Sequence, residues 1–397
     1  MMENVNFKPV VLGIDVGAYS IARTFYEFYG VKTIVVGKYT YWMTSYSNIT
    51  EPMIVNDMNE ERLVDFLVEL SGNYPDTKLL LFGCSEDYVD MIVRNKKTLD
   101  KYFVVPTVDE KTLERVVQKE NFYEVCEKVG INYPKTIILN KDNFETEEIK
   151  FKYPIVAKAS NKAIYQRIDF DGKMKVFVFN NHEELVTMLS RAFDSGYTDD
   201  FVVQEYIAGP DANMRVLTCF ADENSNVLFS SVGKVLLEEK GPDVTGNYSA
   251  IINTKDEKLV EAAKKFIKET NYKGYANFDI KYDENTGEFY FFEVNVRLGR
   301  SNFYMGAGNT NYLAPVVDSY IYHNAKDNYE SDGVALYTIV PFYVINKYVK
   351  DKQLVRTAKR LKRNNPLDYN KDFLLKRKMY IYMALINHIR KFGKYYE

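Results

Sequence analysis

The chain has 397 residues, enough for two or three domains, and 46% of them are hydrophobic, ample for packed cores. A formal net charge of −3 argues against bulk nucleic-acid binding, and no apolar run suits a membrane span or a secretory leader. The three cysteines (Cys84, Cys126, Cys219) and three histidines (His182, His323, His388) are scattered. That fits a reducing cytoplasm, argues against a zinc framework or a Ser-His-Asp triad, and leaves the chemistry to carboxylates, lysines and arginines.

In chain order, residues 8–16 predict a buried strand ending at Gly17, and Ser20–Tyr29 a helix closed by Gly30. Residues 32–36 give a second strand, so the start is a βαβ unit of a parallel sheet. A helix near Glu60–Ser71 and a strand at Lys78–Gly83 complete a Rossmann-like domain assigned to residues 1–110. The spacing of Gly13 and Gly17 misses the G-x-G-x-x-G fingerprint, so both glycines read as tight-turn residues and NAD is not expected.

A helix is expected at Asn121–Val129 with Gly130 as its cap, then an extended stretch from Tyr133-Pro134 to Leu139. The run Tyr153–Ala159 is a buried strand carrying Lys158, a costly place for a lysine unless it meets an anion. A strand at 176–179, a helix at Asn181–Ser195 and a strand at Phe201–Ile207, ended by Gly209-Pro210, follow. Asp256 is the expected N-cap of a helix running to Thr270.

The segment Gly274–Ser301 carries the densest chemistry. It reads as two strands paired antiparallel through the turn Asp283–Gly287. Asp279 lies on the first strand, and Glu293, Asn295 and Arg297 alternate along the second, which places the latter three on one face. Aromatic Phe289, Tyr290, Phe291 and Phe292 argue that this strand is half buried rather than a solvated surface hairpin. Two carboxylates and an amide beside an arginine form a hard-oxygen cage for Mg²⁺ with a clamp for phosphate.

The tail differs in charge. From residue 346 to 397 there are 15 Lys/Arg against 4 Asp/Glu. Phe373–Phe392 has apolar residues at helical spacing between basic ones. Such a helix either lies on an anionic membrane or grips a phosphorylated substrate, or packs on the more acidic body.

The ordered set Lys119, Lys158, Gln204-Glu205-Tyr206-Ile207, Asp279 and Glu293-x-Asn295-x-Arg297 resembles the ATP-grasp superfamily over most of residues 110–320. The resemblance implies a mixed α/β and α+β fold. A Rossmann-like domain is followed by an ATP-grasp domain at 111–330, with a lid subdomain at about 135–207, and a C-terminal extension at 331–397. It implies ATP and two Mg²⁺ ions, replaceable by Mn²⁺, and activation of a carboxylate as an acyl phosphate that an amine then displaces.

By that resemblance Lys119 and Lys158 would reach the phosphates. Gln204–Ile207 would be the adenine hinge, read through the Glu205 carbonyl and the Ile207 N–H, and Asp211 would hold the ribose. Asp279, Glu293 and Asn295 would carry the metals, and Arg297 would stabilise the transferring phosphoryl. The stretch 159–170 lacks the glycine-rich loop of many members, leaving Asn161 and Lys162 as lid candidates.

Residues 11–30, Lys119–Gly130 and Asn295–Ser301 look like those of bacterial D-aspartate ligases. These join the β-carboxylate of D-aspartate to the lysine amine of UDP-MurNAc-pentapeptide in peptidoglycan precursor synthesis. A dianionic substrate needs further cations. Arg215 and Arg300, with Ser301, are the candidates for the amino acid, Lys234 for the γ-phosphate, and the turn-rich loop Lys240–Ser249 for closure. Alternatives are a ligase of the same fold for another amino acid or amine, or a non-catalytic ATP-binding regulator. The oligomeric state is left open.

Overall fold

In the computed structural model, which describes residues 6–396 apart from 57–58, 241–243, 245 and 332, β1 (Phe7–Leu12) stops well short of residue 16. Asp15 explains why. Its Oδ1 accepts the N–H groups of Gly17 and Ala18 and so opens the helix Val16–Tyr29, which closes at Gly30 with φ 68°. The predicted strand was too long because the cap lay inside it. β2 (Thr33–Gly37), β3 (Thr50–Ile54) and β4 (Lys78–Gly83) join β1 in a parallel sheet of order β3-β2-β1-β4. Gly13, at φ 139°, backs onto Cys84, and Gly17 sits inside the helix against the Arg300 backbone. Gly17 is therefore a close-approach residue rather than a turn residue.

A second, antiparallel sheet holds β5 (Thr136–Leu139), β6 (Ile155–Ala159), β7 (Phe177–Phe179) and β8 (Phe201–Glu205) in the order β5-β8-β6-β7. Its inward residues Ile155, Ala157, Phe201 and Val203 pack with Leu185 and Leu189 of the helix His182–Asp194. The chain then crosses to a seven-stranded sheet. This contains β9 (Met214–Ala221), β10 (Val227–Glu238), β11 (Tyr248–Thr254), β12 (Gly274–Asp283), β13 (Glu288–Asn295), β14 (Leu336–Thr338) and β15 (Arg363–Asn364), ordered β13-β12-β9-β10-β11-β14-β15. The helix Glu257–Glu269, capped by Asp256, covers the face that carries Leu217, Phe278 and Ile280. The other face, with Val216 and Phe220, turns toward the N-terminal layer. Asp283 and Gly287, the latter at φ 74°, form the predicted turn between β12 and β13.

The C-terminal helix Leu375–Tyr395 bridges the first and third layers. Near its start Arg377 is buried against Tyr19, and Tyr380 stacks on Trp42 and Tyr46. Near its end Phe392 and Tyr396 pack on Tyr348. The helix does lie on the body, but only by one side. Leu375, Met379, Tyr382, Met383 and Ile386 are each more than half exposed. Among the described residues no helix is long and apolar enough to cross a membrane.

Candidate active site

The register of β12 on β13 sets Asp279 opposite Glu293 and Asn277 opposite Asn295. Directly paired residues share a face, so the carboxylates converge as alternation predicts. Asn295 Nδ2 donates to Asp279 Oδ2 at 3.2 Å, and the Tyr248 hydroxyl donates to Oδ1 at 2.8 Å. Burial first, and the Glu293 charge second, push the Asp279 carboxyl up to about 7. Glu293 is balanced from two directions. Lys119 Nζ, from the first turn of the helix Lys119–Val129, lies 2.9 Å from Oε2, and Lys158 Nζ, from β6, lies 3.6 Å away. Ala157 points into the core of the small sheet, so its neighbour Lys158 must point out, toward the large sheet.

β8 ends at Glu205, two residues earlier than predicted, so Tyr206 and Ile207 lie in the connector between the two sheets. Gln204 is buried, and its amide donates to the Tyr123 hydroxyl and Thr136 Oγ1. The Glu205 N–H is held by the Lys135 carbonyl, Ile207 is buried, and Tyr206 is exposed beneath Lys281. Asp211 opens the short turn Asp211–Asn213. Its carboxylate accepts from the Glu238 N–H at 3.0 Å, Lys240 at 2.9 Å and the Tyr396 hydroxyl at 2.7 Å.

Arg297 lies just past β13. Its Nη2 is 3.5 Å from Asn295 Oδ1 and 3.6 Å from Glu86 Oε1 of the N-terminal layer, and its Nε is buried without a hydrogen bond. Arg300 reaches Asp15 and Glu239, each at 3.6 Å. Ser301 is buried at the start of the 3₁₀ turn Asn302–Asn309. Arg215 and Lys234 are not brought to this site. They pair with each other across β9 and β10, one residue out of step with Val216, the partner of Asp279. Their side chains leave the opposite face, where Asp256 acts on Arg215, and Asp351 and Glu284 on Lys234. Asn161 caps the helix Lys162–Arg167, the Lys162 side chain lies outside the described residues, and so do 241–243 and 245 of the closure loop.

Among the described residues no group of three His, Cys, Asp or Glu side chains could hold a metal. Asp279, Glu293 and the Asn295 carbonyl oxygen nevertheless fit Mg²⁺, which binds few protein oxygens and completes its octahedron with phosphate and water. Burial first and the Glu293 charge second raise Asp279, and a divalent cation placed between the two carboxylates would relieve both. Sequence reasoning missed Asp15, Tyr248, Glu239, His388 and Tyr396. Asp15 carries a local signal, a carboxylate capping the helix that follows it, whereas the others reach their partners through tertiary packing.

The family model for the carbamoyl-phosphate synthase L chain, ATP binding domain, matches residues 118–305. A D-aspartate ligase of Enterococcus faecium is 31% identical, across 100% of this chain and 98% of its own length. Two solved structures share the fold. The L-amino acid ligase from Bacillus licheniformis gives a TM-score of 0.59 at 16% identity, covering 84% of this chain and 79% of that one. The biotin carboxylase domain of the Hydrogenobacter thermophilus 2-oxoglutarate carboxylase, in complex with MgADP, ADP and bicarbonate, gives 0.55 at 19% identity, covering 73% and 64%.

Proposed function

We propose, for a chain that belongs to the ATP-grasp carboxylate–amine ligases, that it activates the β-carboxylate of D-aspartate with ATP. The acyl group is then joined to the lysine side-chain amine of UDP-MurNAc-pentapeptide, for peptidoglycan precursor synthesis in the cytoplasm. One observation carries the reading. Lysines from two separate elements close on Glu293 beside Asp279, where the small sheet faces the large one. The full-length likeness to a D-aspartate ligase supports the choice of amino acid.

In the first step a carboxylate oxygen attacks the γ-phosphorus and ADP leaves. Such transfers need in-line positioning and charge neutralisation more than covalent help. Lys119 and Lys158 hold the phosphate oxygens, while Arg297 meets the charge that develops on the transferring group. The connector at Glu205–Ile207 reads adenine through its backbone, with Gln204 bracing it from β8, and Asp211 takes the ribose by exchanging its bonds from Lys240 and Tyr396. Asp279, Glu293 and Asn295 would hold two Mg²⁺ ions, or Mn²⁺ in their place, which would supply charge neutralisation for the phosphates. In the second step the neutral amine attacks the acyl carbon, inorganic phosphate leaves, and the amine loses a proton to complete the amide.

The division assigned is 1–110, 111–330 and 331–397, with β14 and β15 of the large sheet contributed by the last segment. The exposed stripe Leu375, Met379, Tyr382, Met383 and Ile386, flanked by Lys376, Lys378, Arg390 and Lys391, supports contact of the C-terminal helix with an anionic lipid surface. Incubation with ATP, Mg²⁺ and each isomer of Asp and Asn, with and without UDP-MurNAc-pentapeptide, tests the function. D-aspartate-dependent phosphate release that rises with the pentapeptide is expected. Release driven only by another amino acid or another amine would refute it.

A further inference from the structure

Arg300 is set between two carboxylates that neither the nucleotide nor the metal positions use. Its Nε is 3.6 Å from Asp15 Oδ2, and its Nη1 is 3.6 Å from Glu239 Oε1. Both separations suit ion pairs but are too long for hydrogen bonds. Glu239 is 6% exposed, and its Oε1 has no hydrogen-bond partner. Its other charged neighbour is His388 of the C-terminal helix, whose Nδ1 is 3.9 Å away. Burial pulls His388 down from its ordinary value, which favours the neutral ring. Tyr337 adds a second orphan, a fully buried hydroxyl without a hydrogen bond, in the field of Arg300, Glu239 and Asp15.

Buried polar atoms in folded proteins are nearly always bonded, because an orphan costs about 1–3 kcal/mol. Two orphans around one guanidinium therefore ask for a partner. The cluster offers one cation within ion-pair reach of two anions, the complement of a carboxylate joined to an ammonium. It also lies in the right place. Arg300 follows Arg297 by three residues, and Asp15 and Arg297 both act on the Cys84 thiol, which sets the cluster near the arginine proposed for phosphoryl transfer. Asp15 arrives from the opposite layer at the N-terminus of the first helix, with Oδ1 spent on its cap and Oδ2 turned to Arg300.

We infer that this cluster binds the α-carbon groups of the amino-acid substrate: Arg300 takes the α-carboxylate, and Glu239 Oε1 with Asp15 Oδ2 take the α-ammonium. The inference rests on the ligase reading. His388 is a positioning residue that holds Glu239 in place from the C-terminal helix. With the reacting carboxylate fixed beside Arg297, the α-carbon is held at three points, which is what discrimination between enantiomers requires.

The test uses the full-length enzyme and three substrates in ATP-dependent phosphate release: aspartate, succinate, which lacks the ammonium, and β-alanine, which lacks the α-carboxylate. Glu239→Gln is expected to lower kcat/KM for aspartate about tenfold to a hundredfold, the worth of a hydrogen bond to a charged group. It should leave succinate within about threefold, so that the aspartate-to-succinate preference collapses. Glu239→Asp should restore part of that preference, and Arg300→Leu should instead collapse the aspartate-to-β-alanine preference without moving the KM for ATP. Equal losses on aspartate and succinate in Glu239→Gln would make Glu239 a mere brace for the helix and overturn the inference alone. Wild-type protein that releases no phosphate with aspartate, while active on another substrate, would overturn the aspartate reading and this inference with it.

Discussion

Replacing Arg377 by methionine should destabilise the protein by about 3 kcal/mol, because it strands a buried carboxylate. The Arg377 side chain is 2% exposed, and that of Asp372, whose Oδ2 lies 3.3 Å from Arg377 Nε, is 0% exposed. Breaking such a pair from one side costs about 3–5 kcal/mol. Asp372 keeps its other bonds, from the Tyr19 hydroxyl, Ser47 Oγ and the Asn48 N–H. These retain part of the anion's stabilisation and favour the low end. Loss of the Arg377 bond to the Met43 carbonyl and of its stacking on Tyr19 adds about 1–2 kcal/mol, roughly offset by burying the methionine. Urea denaturation at pH 7 measures the change. The double variant Arg377→Met/Asp372→Asn should recover at least half of it, because no uncompensated charge remains. A single variant within 1 kcal/mol of wild type, or a double variant no more stable than the single, would refute the reasoning.

Three further outcomes follow from the site. Glu293→Gln should cut D-aspartate-dependent phosphate release about a hundredfold or more, since one of two metal carboxylates is lost, and an unchanged rate counts against the metal assignment. Asp279 is raised toward 7 by burial and by Glu293, so below that pH MgATP must displace its proton. Affinity should then fall as pH drops from 8 to 6, with proton release visible by calorimetry in two buffers, and pH-independent binding would discard the shift. By the same linkage Asp279 favours the ligand-free fold at low pH and loses that contribution as pH rises through about 7. Finally, changing both Met379 and Met383 to Glu should abolish co-sedimentation with anionic vesicles and leave turnover unaltered; retained binding would rule out the exposed stripe as the contact.

Local chemistry made part of this molecule legible in the sequence. Asp256 and Gly130 mark a helix start and a helix stop because capping is satisfied within a few residues, and both lie where predicted. The face shared by Asp279, Glu293 and Asn295 follows from alternation on two strands joined by one short turn. Lys234 and Arg215 are candidates by charge and by lying on strands near the site, yet they leave the opposite face, since parity selects a face only once the partner strands are known. β9 pairs with β12 across a long stretch of intervening chain, and no residue type announces that register. Nor could a lone histidine near the end of the chain announce that it sits beside Glu239, or a terminal tyrosine that it reaches Asp211. The sequence determined which side chains can carry charge and which short segments they ride on, because those are governed by neighbours in the chain. Only the tertiary structure decided which charges meet, because burial and long-range pairing are set by packing between elements hundreds of residues apart.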